Sequence, residues 1–167
     1  MDSLEFLAVQ SPAQCDRVVA LARNIWQHHY PPIIGQAQVD YMLDRFQSLE
    51  AIQAQMDQGM QYYLIGLHSE AVGYFALDRQ ADYWFLSKLY VDPQFQRQGI
   101  GSRAIDFIET LTDPFPLRLV VNKYNSNSLK FYQARGFEII NAEVKDIGNG
   151  FVMNDFVMER LPHDRVC

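Results

Sequence analysis

The stretch Leu89-Tyr-Val-Asp-Pro-Gln-Phe-Gln-Arg-Gln-Gly-Ile-Gly-Ser102 changes its periodicity half-way, and that change decides the fold. Tyr90 and Val91 close an apolar, aromatic run that reads as a strand, and Pro93 ends it. From Ile100 onward, Ile100, Ala104, Phe107, Ile108 and Leu111 recur at helical spacing, which puts Gly99 and Gly101 at a helix entrance. The first backbone N–H groups there have no intrahelical acceptor and the macrodipole is positive, while glycine admits a ligand close to the main chain. A pyrophosphate suits such a place. The N–H groups of Gly99, Ile100, Gly101 and Ser102 would hold it, helped by Gln96, Arg97 and Gln98. An isolated Gly-x-Gly can also simply start a helix, so context has to choose.

Two other phosphate-loop readings fail on context. Gly99-Ile-Gly101-Ser-Arg-Ala104 formally satisfies the dinucleotide fingerprint G-x-G-x-x-G/A. That fingerprint wants its first glycine tight against the strand end, but residues 92–98 intervene, and no Asp or Glu closes the next strand, Leu117 to Asn122. The nucleotide P-loop pattern G-x-x-x-x-G-K-[ST] does not occur in the chain.

A second strand-to-helix junction lies downstream, Asn122-Lys-Tyr-Asn125-Ser-Asn-Ser128-Leu-Lys-Phe-Tyr132-Gln-Ala-Arg-Gly136-Phe137. Leu117, Leu119, Val120 and Val121 make a short buried strand, Asn125 suits an N-cap, and Leu129, Tyr132 and Ala134 are placed on one helix side. Gly136 suits the position after a helix, and Phe137 begins another strand. Taken singly, Asn125 reads as a cap and Tyr132 as a core aromatic.

Together the two motifs resemble the GCN5-related N-acetyltransferase (GNAT) superfamily. Its first signature, Q/R-x-x-G-x-G/A, is matched by Gln96-Arg-Gln-Gly99-Ile-Gly101. Its second, N-x-x-[SA]-x-x-x-Y-x-x-x-G-F, is matched by Asn125 through Phe137. Both occur in the right order, separated by a helix and a strand, and the resemblance covers about residues 60–160. It implies a mixed α/β (α+β) sheet of about seven strands with helices on both faces, in one domain spanning residues 1–167. The fourth and fifth strands would run parallel and splay apart.

The resemblance also implies the chemistry. Acetyl-CoA would be the co-substrate, with its pantetheine against Leu89, Tyr90 and Val91, its phosphates on Gln96 through Ser102, and Asn125, Ser128 and Tyr132 also contacting it. A backbone N–H of Leu89 or Tyr90 would stabilise the oxyanion formed when an amine attacks the thioester; losing such a donor costs on the order of a hundredfold in rate. Tyr132 would protonate the thiolate, since an unperturbed tyrosine stays protonated up to a pKa of roughly 10. Some members place a glutamate base in the fourth strand, but Trp84-Phe-Leu-Ser-Lys-Leu-Tyr-Val91 contains no carboxylate. Water relayed by Ser87, Tyr30 or a carboxylate of the last hairpin, Asp146 or Asp155, remains open as the base. Lys88 is expected to pair with an acid on the sheet, and His28 and His29, at a helix end, to be exposed.

Composition is compatible with an enzyme of this kind. A chain of 167 residues, 49% hydrophobic and 13% aromatic, can bury one core and shows no disordered tail. The net charge of −6, without a basic run, argues against nucleic acid or an anionic membrane and loosely suits a cationic or neutral acceptor. Only Cys15 and Cys167 occur, so neither a disulfide framework nor a zinc site is expected, and no metal is assigned. No 18-residue apolar run or leader is visible, which predicts a cytoplasmic protein.

Along the chain, Leu4 to Val9 reads as a strand, and Ser11-Pro-Ala-Gln14 is a capping box for a helix running to about Gln27. Cys15, Val18, Val19, Ala22, Ile25 and Trp26 form its core stripe, and His28-His29-Tyr30-Pro31-Pro32 breaks it. Val39 to Phe46 and Leu49 to Gln58 read as further helices, where the superfamily builds acceptor specificity. Strands near Tyr62–His68, Val72–Leu77 and Tyr83–Val91 follow, the first two joined at Ser69-Glu70. Phe137–Lys145 and Phe151–Arg160 flank Asp146-Ile-Gly148-Asn149-Gly150 as a hairpin.

The hairpin and the Tyr30-Pro-Pro break resemble bacterial members, some near polyamine acetyltransferases, which does not name the acceptor. The expected partner is an amine on a small molecule or a peptide, and a homodimer is compatible with the resemblance. Two other classes stand beside this one, a domain of the same fold that binds acyl-CoA without turnover, which Tyr132 speaks against, and a nucleotide-binding oxidoreductase, which the seven residues 92–98 already disfavour.

Overall fold

Seven strands form one mixed sheet in the computed structural model, which describes residues 4–162. They are β1 (Leu4–Ala8), β2 (Gln61–Leu67), β3 (Glu70–Arg79), β4 (Trp84–Val91), β5 (Leu117–Asn122), β6 (Glu138–Gly148) and β7 (Phe151–Arg160). Their spatial order is β1-β2-β3-β4-β5-β7-β6. Neighbours pair antiparallel except β4 and β5, which run parallel. The helices are α1 (Pro12–His29), the single turn α2 (Pro31–Ile34), α3 (Gln36–Phe46), α4 (Leu49–Asp57), α5 (Ile100–Thr112) and α6 (Ser126–Ala134).

Local chemistry sets the boundaries. Ser11 and Gln14 close the reciprocal capping box at the start of α1, and the Ser48 hydroxyl caps α4. Asn149 and Gly150 both take positive φ, 55° and 79°, as a two-residue hairpin turn with the natural strand twist requires. The β2–β3 turn is built the same way, on His68 and Ser69, with φ of 51° and 67°. It therefore sits one residue earlier than the Ser69-Glu70 placement read from sequence, because Glu70 is already paired with Leu67.

Two apolar layers cover the sheet. Val18, Ala22, Ile25, Trp26, Val39, Met42 and Ile52 of the N-terminal helices pack with Tyr62, Leu64, Tyr74 and Ala76 on one face. Ile100, Ala104, Ile105 and Ile108 of α5, with Leu129, Phe131 and Tyr132 of α6, pack with Phe75, Leu86, Leu119 and Met158 on the other. Ala134 does not join that layer; it is exposed, since two residues along a helix from Tyr132 points nearly the opposite way. Cys15 is buried with its Sγ 3.9 Å from Met56 Sδ, and Cys167 lies outside the described residues.

The feature that positions the site is the failure of β4 and β5 to stay together. They pair only at Trp84 with Leu117 and Phe85 with Arg118, then diverge. A bulge accompanies the divergence: β3 pairs Ala76 with Lys88 and Leu77 with Leu86, leaving Ser87 unpaired on β4. One extra residue reverses the alternation of faces. Trp84 and Leu86 before the bulge, and Leu89 and Val91 after it, therefore face the α5 layer, whereas Tyr90 joins the α1 layer. Gly73 allows this close approach, because a Cβ there would collide with the Tyr90 carbonyl oxygen.

Candidate active site

The divergence opens a cavity of about 770 Å³ that passes through the sheet between β4 and β5. One wall is β4 from Phe85 to Val91, the opposite wall is β5 from Leu119 to Asn122, and Tyr132, Ser128 and Asn125 of the α6 junction close one side. On the other side it opens among Trp26, Tyr30, Ile34, Met42, Gln55 and Met60 of the N-terminal half and Asp155 and Met153 of the last hairpin.

Of the residues singled out from sequence, Leu89, Tyr90, Val91, Gln96, Asn125, Ser128 and Tyr132 line this cavity. Arg97, Gln98, Gly99, Ile100, Gly101 and Ser102 do not; they form the adjoining mouth at the start of α5. Arg97 and Gly99 both adopt the left-handed conformation, φ 65° and 76°. The amide N–H groups of Arg97 to Ser102 donate to no acceptor among the described residues. A run of unengaged amides at a helix start, with left-handed residues interspersed, is a geometry that suits an anion. The Ile100 side chain is buried in the core, leaving its main chain as the part that faces the loop.

Gly101 serves packing as well. A Cβ there would meet the Phe131 ring at 3.1 Å, so its small size lets α6 approach α5. At Gly99 a Cβ would meet nothing, and the left-handed backbone alone favours glycine. Gln96 Nε2 donates to the Val91 carbonyl at 3.2 Å, tying the loop to the end of β4.

Tyr132 reaches the gap from the α5 face, its ring against Phe131 and Phe137 at 5.1 and 5.5 Å between centroids. Burial, and then the nearby Tyr30, push its hydroxyl well above the ordinary tyrosine range, so it keeps its proton. The Tyr30 and Tyr90 hydroxyls are 2.9 Å apart, and burial raises Tyr30 to about 12. Asn125 caps α6 through Ser128 N at 3.4 Å, and its Nδ2 lies 3.2 Å from His29 Nε2. His29 is therefore half-buried, not exposed as its place in the sequence suggested, and burial lowers its pKa; His28 is exposed.

The two carboxylates of the hairpin separate. Asp146 Oδ1 accepts from Gly148 N at 2.8 Å and so serves the turn. Asp155, 4% exposed and opposite Asn122 on β5, has an Oδ1 that accepts no hydrogen bond. Burial, and then Glu143, raise its pKa to about 6, against Lys145 and Lys123. Lys88 also departs from its sequence reading. No carboxylate among the described residues lies within 4.0 Å of its Nζ, whose neighbours are Ser87 Oγ at 3.1 Å and Gln55 Oε1 at 3.4 Å. The charge of Lys88 was visible in the sequence; its isolation was not, since it depends on which helices cover that face.

The family model for the acetyltransferase (GNAT) domain matches residues 32–159. The chain belongs to the GNAT acetyltransferase family. Among solved structures, the PaiA N-acetyltransferase of Thermoplasma acidophilum, determined with coenzyme A, superposes with a TM-score of 0.78 at 22% identity, covering 95% of this chain and 99% of that one. A GCN5-related N-acetyltransferase of Rhodopseudomonas palustris gives 0.78 at 16% identity, covering 94% of each. The ribosomal-protein-S18-alanine N-acetyltransferase of Escherichia coli gives 0.68 at 15% identity, over 100% of this chain and 99% of that one. These likenesses establish the GNAT fold, including its parallel, splayed pair.

A curated relative, the peptidyl-lysine N-acetyltransferase YjaB of Salmonella typhimurium, is 28% identical over 89 residues, 53% of this chain. The match spans 57% of that protein's length. Among the described residues no helix is long and apolar enough to cross a membrane, and no cluster of three metal-ligating side chains occurs.

Proposed function

We propose that this protein transfers the acetyl group of acetyl-CoA to a primary amine. The observation that carries the reading is the cavity between β4 and β5, with the unengaged amides of Arg97 to Ser102 at its mouth and the half-buried Tyr132 in its wall. The neighbour determined with coenzyme A supports the same ligand.

The thioester lies against β4, where the N–H of Leu89 or Tyr90 donates to the carbonyl oxygen as it becomes an oxyanion. The acceptor amine enters from the side of Tyr30 and Met42. Asp155 holds its ammonium and takes one proton, a task suited to a carboxylate with a pKa of about 6. The amine nitrogen bonds to the carbonyl carbon, the C–S bond breaks, Tyr132 gives its hydroxyl proton to the departing thiolate, and the second proton shed by the nitrogen restores the Tyr132 hydroxyl, leaving the N-acetyl amide, CoA thiol and the proton on Asp155. The place of Asp155 on β7, lining the same cavity as β4, supports this role where β4 itself has no carboxylate.

A binding test separates this family reading from a nicotinamide one. Acetyl-CoA should raise the melting temperature in a concentration-dependent way, as a ligand of the folded state does, and NAD should not. Stabilisation by NAD alone would overturn the proposal. Binding of acetyl-CoA with no transfer to any amine would favour a non-catalytic acyl-CoA-binding module.

A further inference from the structure

We propose that Lys88 forms an anion subsite in the acceptor half of the cavity, so that the amine accepted here also carries a carboxylate. The inference rests on the acetyltransferase reading and narrows its substrate class.

Lys88 comes one residue after the bulge and lines the cavity just before Leu89 and Tyr90. Every group around its Nζ is neutral: Ser87 Oγ at 3.1 Å, Gln55 Oε1 at 3.4 Å, Met60 Sδ at 4.0 Å and the Tyr62 ring at 5.4 Å. Asp78, the acid on the neighbouring strand, instead accepts from Gln80 Nε2 at 2.9 Å. Lys88 is half-buried on the cavity wall, and a lysine charge in such a place with no carboxylate within 4.0 Å is ordinarily paired.

The surroundings are built. Gln55 Nε2 donates to the Phe46 carbonyl at 2.9 Å, and Gln55 Oε1 accepts from the Tyr62 hydroxyl at 2.5 Å. The Tyr62 hydroxyl also accepts from Gln47, whose Oε1 receives the Tyr74 hydroxyl at 2.7 Å. This network fixes the oxygen that faces Lys88. Burial lowers Lys88 to about 8, opposed by Asp78, so it still carries its charge at neutral pH.

The remaining acceptor wall is apolar, Ile34, Met42, Phe46 and Met60, with the exposed Arg45 at its rim. Asp155 stands on the β7 side of the same cavity. Glu143, Lys145 and Asp146 also line the hairpin side, so acids lie with Asp155 on that wall while Lys88 lies on β4, an arrangement that suits a molecule with an amine toward the hairpin and a carboxylate toward Lys88. A polyamine would bring a second ammonium toward Lys88, which disfavours that class. The overall charge of −6 gave no hint of this, because it reports the whole surface and not the cavity.

The test compares matched amines with and without the carboxylate: leucine with isopentylamine, phenylalanine with phenethylamine, and 4-aminobutyrate with butylamine and putrescine. CoA release gives kcat/KM, and calorimetry gives the affinity of the N-acetylated products for the protein saturated with CoA. A charge-assisted contact predicts that at least one carboxylated member is preferred by about tenfold or more. Lys88→Met should remove that preference and Lys88→Arg should keep part of it. Lys88→Met should melt no lower than the parent, because it removes a half-buried charge with no carboxylate within 4.0 Å, whereas a lysine needed for packing would melt lower.

Equal use of both members of every pair, or a preference that survives Lys88→Met, overturns the subsite while leaving the transferase reading intact. Product binding that needs both carboxylate and Lys88, without turnover, keeps the subsite and overturns the transferase reading. Neither transfer nor carboxylate-dependent binding overturns both.

Discussion

The hydroxyls of Tyr30 and Tyr90 lie 2.9 Å apart, tying the break after α1 to the C-terminal end of β4. Trp26 packs edge-on against both rings, at 5.3 and 5.5 Å between centroids. The helical half of the acceptor pocket is thereby held in register with β4.

Removing either hydroxyl takes away the other's partner in a half-buried place, at a cost of about 1 kcal/mol. Tyr30→Phe and Tyr90→Phe should each lower stability, and the double variant should lose less than the sum of the two. Denaturant unfolding of the four proteins measures this. Strict additivity would mean that the pair contributes nothing.

The acid limb of the pH–rate profile should belong to Asp155. Its folded pKa of about 6 lies above the unfolded value of roughly 3.9, so the folded protein holds that proton more tightly. The destabilisation is fully present above about pH 6 and disappears as the pH falls toward roughly 4. Asp155→Asn should therefore melt higher than the parent at pH 7–8, with the gain vanishing near pH 4. The same variant should lose the rise of kcat/KM through about pH 6 and transfer slowly, and an unaltered acid limb would remove Asp155 from the proton path.

At the mouth, Gly99→Glu and Gly101→Glu should differ. The first has room for a side chain but strains a left-handed backbone and places a negative charge on the amide cradle; the second also presses on Phe131. Both should weaken acetyl-CoA binding by tenfold or more in calorimetry, an order-of-magnitude expectation for like charge in an anion site. Both should lower the melting temperature, the first through the strain of a side chain at φ 76° and the second through α5–α6 packing. Parent-like affinity in Gly99→Glu would move the phosphates elsewhere.

Much of this was legible along the chain, because the informative features are local. Period changes at Val91, Ile100 and Asn122 place the strand-to-helix junctions, and Ser11, Ser48 and Asn149-Gly150 mark boundaries through chemistry within a few residues. The unread part is what depends on distant segments meeting. Ser87 becomes a bulge only because of its register with β3, Gly101 is small because Phe131 arrives 30 residues later, and His29 is covered by Asn125. Asp155 and Asp146 look alike in sequence, and only the register of β7 on β5 buries one of them. Lys88 carried no signal of its isolation, since its covering residues, Gln55 and Met60, come from α4 and the loop after it.

The central claim is tested most directly by following CoA release from acetyl-CoA with the amine panel, for the parent protein and Tyr132→Phe side by side, with acetyl-CoA affinity measured for both. The account predicts release that depends on an added amine and falls by a factor of about 10²–10⁴ in Tyr132→Phe, with cofactor affinity unchanged. Release at the parent rate in Tyr132→Phe across the pH range, or none from the parent with any amine, would contradict it.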